Sequence, residues 1–139
     1  MLAAALFARF TSRGDADFQN RLLSAMRRPY TAGLYETLVT RIRRRVPHAA
    51  IGSDIIVGFP GETEADFQET LEVVAEVGYD SAFTFVFSPR RETEAAGLPD
   101  QVPHAVKRER MGRLVELVQR RSLERSGRFI GTEQEVLVE

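Results

Sequence analysis

The sequence predicts an α/β protein whose parallel strands are joined by crossover helices. Two apolar runs rich in β-branched and aromatic residues, 50–57 and 82–87, are typical of buried strands. Helical periodicity precedes, separates and follows them, which gives the order helix, strand, helix, strand, helix. Strands joined through a helix pair in parallel, so we expect both strands to end at one edge of the sheet.

Local signals set the predicted bounds of the first two helices. Thr31 can cap the first helix, and Pro47 ends it. The predicted buried face of this helix repeats every four residues: Leu34, Leu38, Ile42 and Val46. Thr63 caps the second helix in a capping box with Asp66, and Gly78 stops it. Its predicted apolar face comprises Phe67, Leu71, Val74 and Val77.

The last third of the chain is predicted to hold a long polar loop and a third helix. The loop covers 88–103 and the helix covers about 104–127. The predicted inner stripe of this helix is Met111, Leu114, Val115, Val118 and Leu123. Residues 134–138 have the composition of a strand that is just beginning.

Composition limits the function classes. A chain of 139 residues has the size of one domain, and it contains no cysteine. It therefore offers no disulfide, zinc cluster or iron–sulfur ligation of its own. The two histidines lack a companion at metal-ligand spacing. The lack of cysteine favours a cytoplasmic setting. The apolar opening at 1–8 is too short to span a bilayer and lacks a preceding basic region, so we expect no signal peptide.

Charge is unevenly distributed along the chain. Residues 1–45 hold nine Arg against three acids, whereas 46–102 hold two Arg against eleven acids. A basic first third can contact RNA phosphates. The alternative is that four of its arginines lie on the solvated face of one helix: Arg41, Arg43, Arg44 and Arg45.

The segments that follow the two predicted strands are the candidate ligand loops. In parallel α/β folds, ligands bind beyond the carboxyl ends of the strands, where GFPGET (58–63) and FSPRR (87–91) both begin. Gly58 and Gly61 permit close approach or positive φ, and Pro60 stiffens the turn. The first helical turn that follows carries three carboxylates, Glu62, Glu64 and Asp66, which already satisfy the helix dipole. They disfavour a phosphate and favour a neutral or cationic ligand. The alternative interpretation is that GFPGET is only a tight connection between the strand and the helix.

Asp54 is an acid within an apolar strand, and two interpretations of it stay open. Burying a carboxylate is costly unless the group is paired or hydrogen-bonded. If Asp54 points into a barrel, it can hold a ligand. If it points outward, it pairs only with an arginine on a neighbouring helix.

Four segments resemble the radical S-adenosylmethionine methylthiotransferases, in that family's order and spacing. SDIIVGFPGETEADF (53–67) is similar to a strand and loop late in the family's barrel. MRRPYT (26–31) resembles its Met-x-Arg-x-Tyr-Thr element. YDSAFTFVFSPR (79–90) resembles the next strand, and its Ser-Ala-Phe-Thr-Phe sequence is similar to that of the tRNA-modifying branch. DQVPHAVKRERMGR (100–113), with 131–139, resembles the closing helix and the first strand of the RNA-binding TRAM domain.

The resemblance implies three parts. Residues 1–19 match nothing in the family, 20–130 correspond to the rear of an incomplete, TIM-like radical-SAM barrel, and 131–139 to a truncated TRAM strand. The cysteine triplet that binds the family's 4Fe-4S cluster is absent. The expected origin is a truncated or misannotated gene, and the expected state of the chain alone is an inactive fragment that self-associates through exposed barrel edges.

The resemblance also implies a function and candidate residues. The parent enzymes methylthiolate an isopentenylated adenosine beside the anticodon of tRNA, using 4Fe-4S clusters and S-adenosylmethionine. No cofactor is expected on this chain alone, and no catalytic or metal-binding residue is assigned. The expected cofactor-facing residues are Asp54, Gly58, Phe59, Pro60, Gly61 and Glu62, and the substrate side would hold Ser88 and Arg90.

Two alternatives stay open. Within the family, the parent could be the threonylcarbamoyl-adenosine branch or the ribosomal-protein branch. Outside it, the chain could be a small α/β module that binds RNA or a protein partner without catalysis.

Overall fold

The computed structural model describes residues 16–91 and 93–135, with side chains from residue 20 onward. Six main elements follow one another: α1 (Ala16–Ala25), α2 (Ala32–Arg45), β1 (Gly52–Val57), α3 (Glu64–Val77), β2 (Ser81–Val86) and α4 (His104–Ser126). Short 3₁₀ turns lie at Glu94–Ala96 and Gly127–Phe129. The predicted alternation of helices and strands is confirmed. Helix α1 was not predicted. In the expected final strand at 134–138, residues 134 and 135 are not in a strand, and 136–138 lie outside the described residues.

The two strands pair in parallel, as expected for an α/β fold. The register runs from Gly52 opposite Ser81 to Val57 opposite Val86. The Phe87 amide then donates to the Val57 carbonyl over 2.8 Å, so the ladder extends into the segment after β2. Both strands therefore end together, and the two candidate loops begin side by side.

Only one face of this sheet is covered by the described helices. Val57 is fully buried with Phe67 and Val74 of α3 and Leu114 of α4. Side chains alternate between the faces of a strand, so their neighbours point the other way. On that second face Ile56 is 38%, Phe83 69% and Phe85 50% exposed. Within the described part of the chain, the sheet thus has one packed face and one uncovered face, which we call the bare face and which comprises Ile56, Phe83, Phe85 and Asp54.

Helix α3 begins and ends as its sequence predicts. The Asp66 amide donates to Thr63 Oγ1 over 3.2 Å, and the Thr63 amide donates to Asp66 Oδ2 over 2.7 Å. This reciprocal pair is a capping box, which satisfies two of the free amides at the start of the helix. Gly78 ends the helix in the left-handed region at φ 57°.

The predicted buried face of α2 is wrong. Thr31 does cap the helix, through a 3.2 Å hydrogen bond from the Leu34 amide. However, Leu34 and Leu38 are 61% and 55% exposed, whereas Val39 is buried. A four-residue repeat rotates by about 40° per step around a helix of 3.6 residues per turn, so Leu34 to Val46 do not form one face.

A different set of α2 residues faces the core. Tyr35 packs against it, and its hydroxyl lies 2.6 Å from the hydroxyl of Tyr79. Arg43 also turns inward and donates to the carbonyls of Val77 and Gly78 at the end of α3. Arg41, Arg44 and Arg45 are exposed, so the solvated-face interpretation holds for three of the four arginines.

The predicted stripe of α4 is confirmed at its centre and wrong at its end. Leu114 is fully buried, and Met111 and Val118 pack against the core. Leu123 is 76% exposed, and the neighbouring Ser122 faces inward instead, where its hydroxyl donates to the Asp80 carbonyl over 2.6 Å. The last turns of α4 therefore bury polar contacts rather than apolar ones.

Glu36 should make stability depend on pH. Burial, and secondarily the charge of Glu76, raises the pKa of Glu36 from 4.5 to about 7. A raised acid pKa means that the folded state binds the proton more tightly, so the Glu36 contribution to stability is lost as pH rises from 4.5 through 7. The free energy of unfolding of the wild type, relative to that of Glu36→Gln, should fall over that pH range and stay constant above it. Urea unfolding at each pH measures this difference.

The matched control for this experiment is Glu116→Gln, which alters an exposed carboxylate on α4. It measures how much of any change comes simply from removing a surface carboxylate. A stability difference for Glu36→Gln that does not change over this pH range would contradict the partial burial of Glu36.

Candidate ligand site at the carboxyl end of the sheet

The two strand-end segments contact each other directly. Phe59, in the loop after β1, is only 5% exposed. Its ring meets that of Phe87, after β2, edge to face with centroids 5.1 Å apart. Such pairs stabilise beyond their area of contact, so the aromatic contact fixes the loops relative to each other.

The backbone of the GFPGET loop needs its two glycines. Gly58 and Gly61 have φ values of 77° and 78°, in the left-handed region that a side chain disfavours. The Glu62 amide donates to the Phe59 carbonyl over 2.9 Å, which closes a tight turn. The Gly61 amide donates to the Asp100 carbonyl over 2.9 Å, which ties this turn to the long loop before α4.

Glu62 is held inside the protein by two donors. Its Oε2 accepts from the Gly58 amide over 3.0 Å, and its Oε1 accepts from Arg110 Nη1 over 2.7 Å. Burial raises the pKa of Glu62 above its ordinary value, although the Gly58 amide and the Arg110 guanidinium favour the ionised form. With both oxygens engaged, Glu62 shapes the loop in this structure.

Lys107 and Arg110 of α4 brace the site, although neither residue was predicted from the sequence to have a role. The Lys107 stem lies so close to Gly58 that a Cβ there would be 2.4 Å from Lys107 Cγ. Lys107 Nζ donates to the Phe87 carbonyl over 3.0 Å. Arg110 also donates to the Glu62 carbonyl over 3.1 Å. Their spacing of three residues on one helical face was the available signal.

Asp54 lies on the bare face of the sheet, opposite Phe83 in the register. It is exposed, and its carboxylate makes no ion pair or hydrogen bond with another residue in the described part of the chain. The interpretation that it pairs with an arginine on a helix is therefore not realised among those residues. Asp54 lies roughly 10 Å before the end of β1, at about 3.3 Å per residue.

Ser88 and Arg90 follow β2 and are both exposed. The Arg90 carbonyl accepts from the Thr93 amide and hydroxyl, whereas its guanidinium has no partner among the described residues. The structure thus brings the Gly58–Glu62 loop and the Ser88–Arg90 segment to one edge, with Asp54 further down the bare face.

The residues present do not fit an iron–sulfur cluster. The chain contains no cysteine, and thiolates hold such clusters. In the ranges 16–91 and 93–135, no three His, Asp or Glu side chains come together at a potential metal site. In the same ranges, no helix is both long and apolar enough to cross a membrane.

The geometry defines a class: an α/β unit in which two loops meet at the carboxyl end of a parallel sheet. No family model matches the chain. Over 86% of its length, however, it is 53% identical to the tRNA-2-methylthio-N(6)-dimethylallyladenosine synthase of Moorella thermoacetica. Identities to the same-named enzymes of Mycolicibacterium vanbaalenii and Tropheryma whipplei are 56% and 51% over the same share.

These matches confirm the resemblance to the methylthiotransferases and favour the tRNA-modifying branch. The chain is similar to a segment of these enzymes rather than to the whole. It spans 27%, 23% and 25% of the three relatives, about a quarter of their length.

Alanine substitutions at the two loop glycines should destabilise the fold to different degrees. Gly61→Ala should cost about 1–2 kcal/mol because its φ is positive, while the nearest atom, Arg21 Nη1, can move. Gly58→Ala should cost more, because the new Cβ also displaces the buried Lys107 stem. Denaturant unfolding of each variant measures these differences.

The control is Gly112→Ala, within helix α4 with open space around it. It should stabilise by roughly 0.5–1 kcal/mol. Equal losses at Gly58 and Gly61 would show that Lys107 does not brace the loop.

Proposed function

We propose that the chain forms the rear wall of the catalytic barrel of a tRNA-2-methylthio-N(6)-dimethylallyladenosine synthase and is inactive by itself. In this proposal 20–130 are the rear of a TIM-like radical-SAM barrel and 131–139 begin a TRAM domain. The parent acts in the cytoplasm on tRNA. The similarity to enzymes of that name over 86% of the chain supports this assignment.

The bare face of the sheet is the observation that carries the proposal. A barrel encloses the inner faces of its strands, which must be covered by the remaining strands and by ligand. Ile56, Phe83 and Phe85 form such a face without cover from the described helices. The matched segment is only about a quarter of these relatives, so they have the additional residues to complete it.

Asp54 is the best candidate for contact with S-adenosylmethionine. It is the carboxylate on the bare face, and it keeps all its acceptor positions free of described partners. The backbone wall of the cofactor site would consist of Gly58, Phe59, Pro60 and Gly61. Glu62 would hold this wall in shape through its hydrogen bonds with Gly58 and Arg110.

The substrate side is proposed at the segment after β2. Ser88 and Arg90 are exposed there, and the Arg90 guanidinium is available for an anionic group such as an RNA phosphate. The iron–sulfur cluster that supplies radical chemistry in the family has to be held by other polypeptide, because this chain has no thiolate.

A complementation experiment tests the proposal. The chain is co-expressed with an N-terminal fragment of the Moorella thermoacetica relative that ends where the match begins. We expect a one-to-one complex, because the fragment covers the bare face. Phe83→Asp should abolish it by burying a charge, whereas Leu123→Asp, on an equally exposed residue of α4, should not.

Ligand binding to that complex tests the site. S-adenosylmethionine should raise the melting temperature of the complex but not that of the chain alone, and Asp54→Asn should remove most of the rise. Failure of the wild-type chain to associate would overturn the proposal. Strongly salt-dependent binding of tRNA by the chain alone, without association, would favour the independent RNA-binding module instead.

A further inference from the structure

The end of the sheet opposite the candidate ligand loops carries a second polar cluster, centred on Asp80. The Asp80 amide donates to the Ile51 carbonyl over 2.9 Å, and the Ile51 amide donates to Asp80 Oδ2 over 2.9 Å. Ile51 and Asp80 directly precede β1 and β2. The cluster therefore lies at the amino end of both strands, away from the ligand loops.

Three arginines from separate parts of the chain converge on this one carboxylate. Arg128 Nη2 lies 2.6 Å and Arg125 Nε 3.5 Å from Asp80 Oδ1, and Arg43 Nη2 lies 3.8 Å from Oδ2. Arg43 belongs to α2, Arg125 to the last turn of α4, and Arg128 to the following 3₁₀ turn. A single negative charge is therefore shared by three positive ones.

The guanidinium groups have more donors than the cluster has acceptors. Arg43 Nη2 uses the Val77 and Gly78 carbonyls at the end of α3, where the helix dipole also favours a cation. Among the described residues, three further nitrogens are buried without a hydrogen-bond partner: Arg43 Nη1, Arg125 Nη2 and Arg128 Nε. Arg125 Nε makes only its 3.5 Å ion-pair contact with Asp80. Buried donors normally find a protein or water acceptor, and an added anion would supply acceptors here.

The charges in the cluster also favour an added anion. Burial, and then the charge of Arg125, lowers the pKa of Arg43, with Asp80 acting in the opposite direction. Although burial opposes ionisation of Asp80, the Ile51 amide and the three guanidinium groups hold its pKa below the ordinary value. Asp80 is thus ionised and still leaves excess positive charge. The arginine side chains are 21%, 30% and 24% exposed, so the cluster reaches the surface.

We propose that Arg43, Arg125 and Arg128 bind a phosphate group beside Asp80. The planar fork of an arginine matches the oxygens of phosphate in two parallel hydrogen bonds, and a phosphate supplies the acceptors that the cluster lacks. This site lies at the amino-terminal end of the strands, whereas the GFPGET loop lies at their carboxyl end and Asp54 lies on the bare face. The inference does not depend on the proposed function.

Titration of the wild-type chain with inorganic phosphate, at constant ionic strength set by chloride, tests the site. The melting temperature should rise with phosphate and saturate, since binding to the folded state stabilises it. Arg125→Gln and Arg128→Gln should each lose most of that rise. Arg120→Gln, an exposed arginine on the same helix, should keep it.

Two additional experiments complete the test: lysine variants and a titration with RNA. If the Gln variants do not fold, Arg125→Lys and Arg128→Lys retain the charge without the fork, and their phosphate affinity should fall at least several-fold. A short single-stranded RNA in place of phosphate identifies the source: binding weakened by Arg128→Gln indicates a phosphodiester, and response to inorganic phosphate alone indicates the free ion. No saturable effect of either on the wild type, or an effect retained in the variants, would overturn the inference.

Discussion

The described fold depends on a sheet of two strands that is covered on one face only. Helices α3 and α4 bury Val57 and leave Ile56, Phe83 and Phe85 exposed on the other side. An isolated pair of strands is marginal in water, and its unpaired edges and apolar surface favour association. The similarity to about a quarter of much longer enzymes is consistent with the proposal that this one-sided sheet belongs to a larger barrel wall.

Helix α4 connects the two ends of the sheet. Its first turns place Lys107 against Gly58 and Phe87, and Arg110 against Glu62, so both strand-end loops are held by one rigid element. Its last turn places Arg125 beside Asp80 at the opposite edge. A buried charge such as Arg110 is costly without its partner, so removal of Glu62 would loosen the candidate ligand loop.

The sequence predicted the features that depend on a few adjacent residues. The Thr63–Asp66 capping box, the Gly78 stop and the parallel strands required only local chemistry and the order of elements. The buried face of α2 and the position of Leu123 depend on which side of each helix meets its neighbours, which periodicity alone does not determine. The bracing of Glu62 joins residues 48 positions apart, beyond the reach of motif spacing.

The candidate site was only partly predictable. The loop glycines follow from the sequence, and the parallel register places Ser88 and Arg90 beside them. The sequence left the direction of Asp54 open, since side chains alternate between two faces and the composition of 50–57 is apolar on both. The covered face of the sheet settles that direction, because it places Asp54 with Phe83 and Phe85 rather than with the helices.

Sedimentation velocity of the chain alone, over a concentration series, tests the one-sided sheet most directly. The wild type should associate as its concentration rises, and Phe85→Asp should shift it toward monomer because a charge on the bare face is costly to bury. A wild type that stays monomeric at every concentration and unfolds in one sharp cooperative transition would contradict a sheet with an uncovered apolar face.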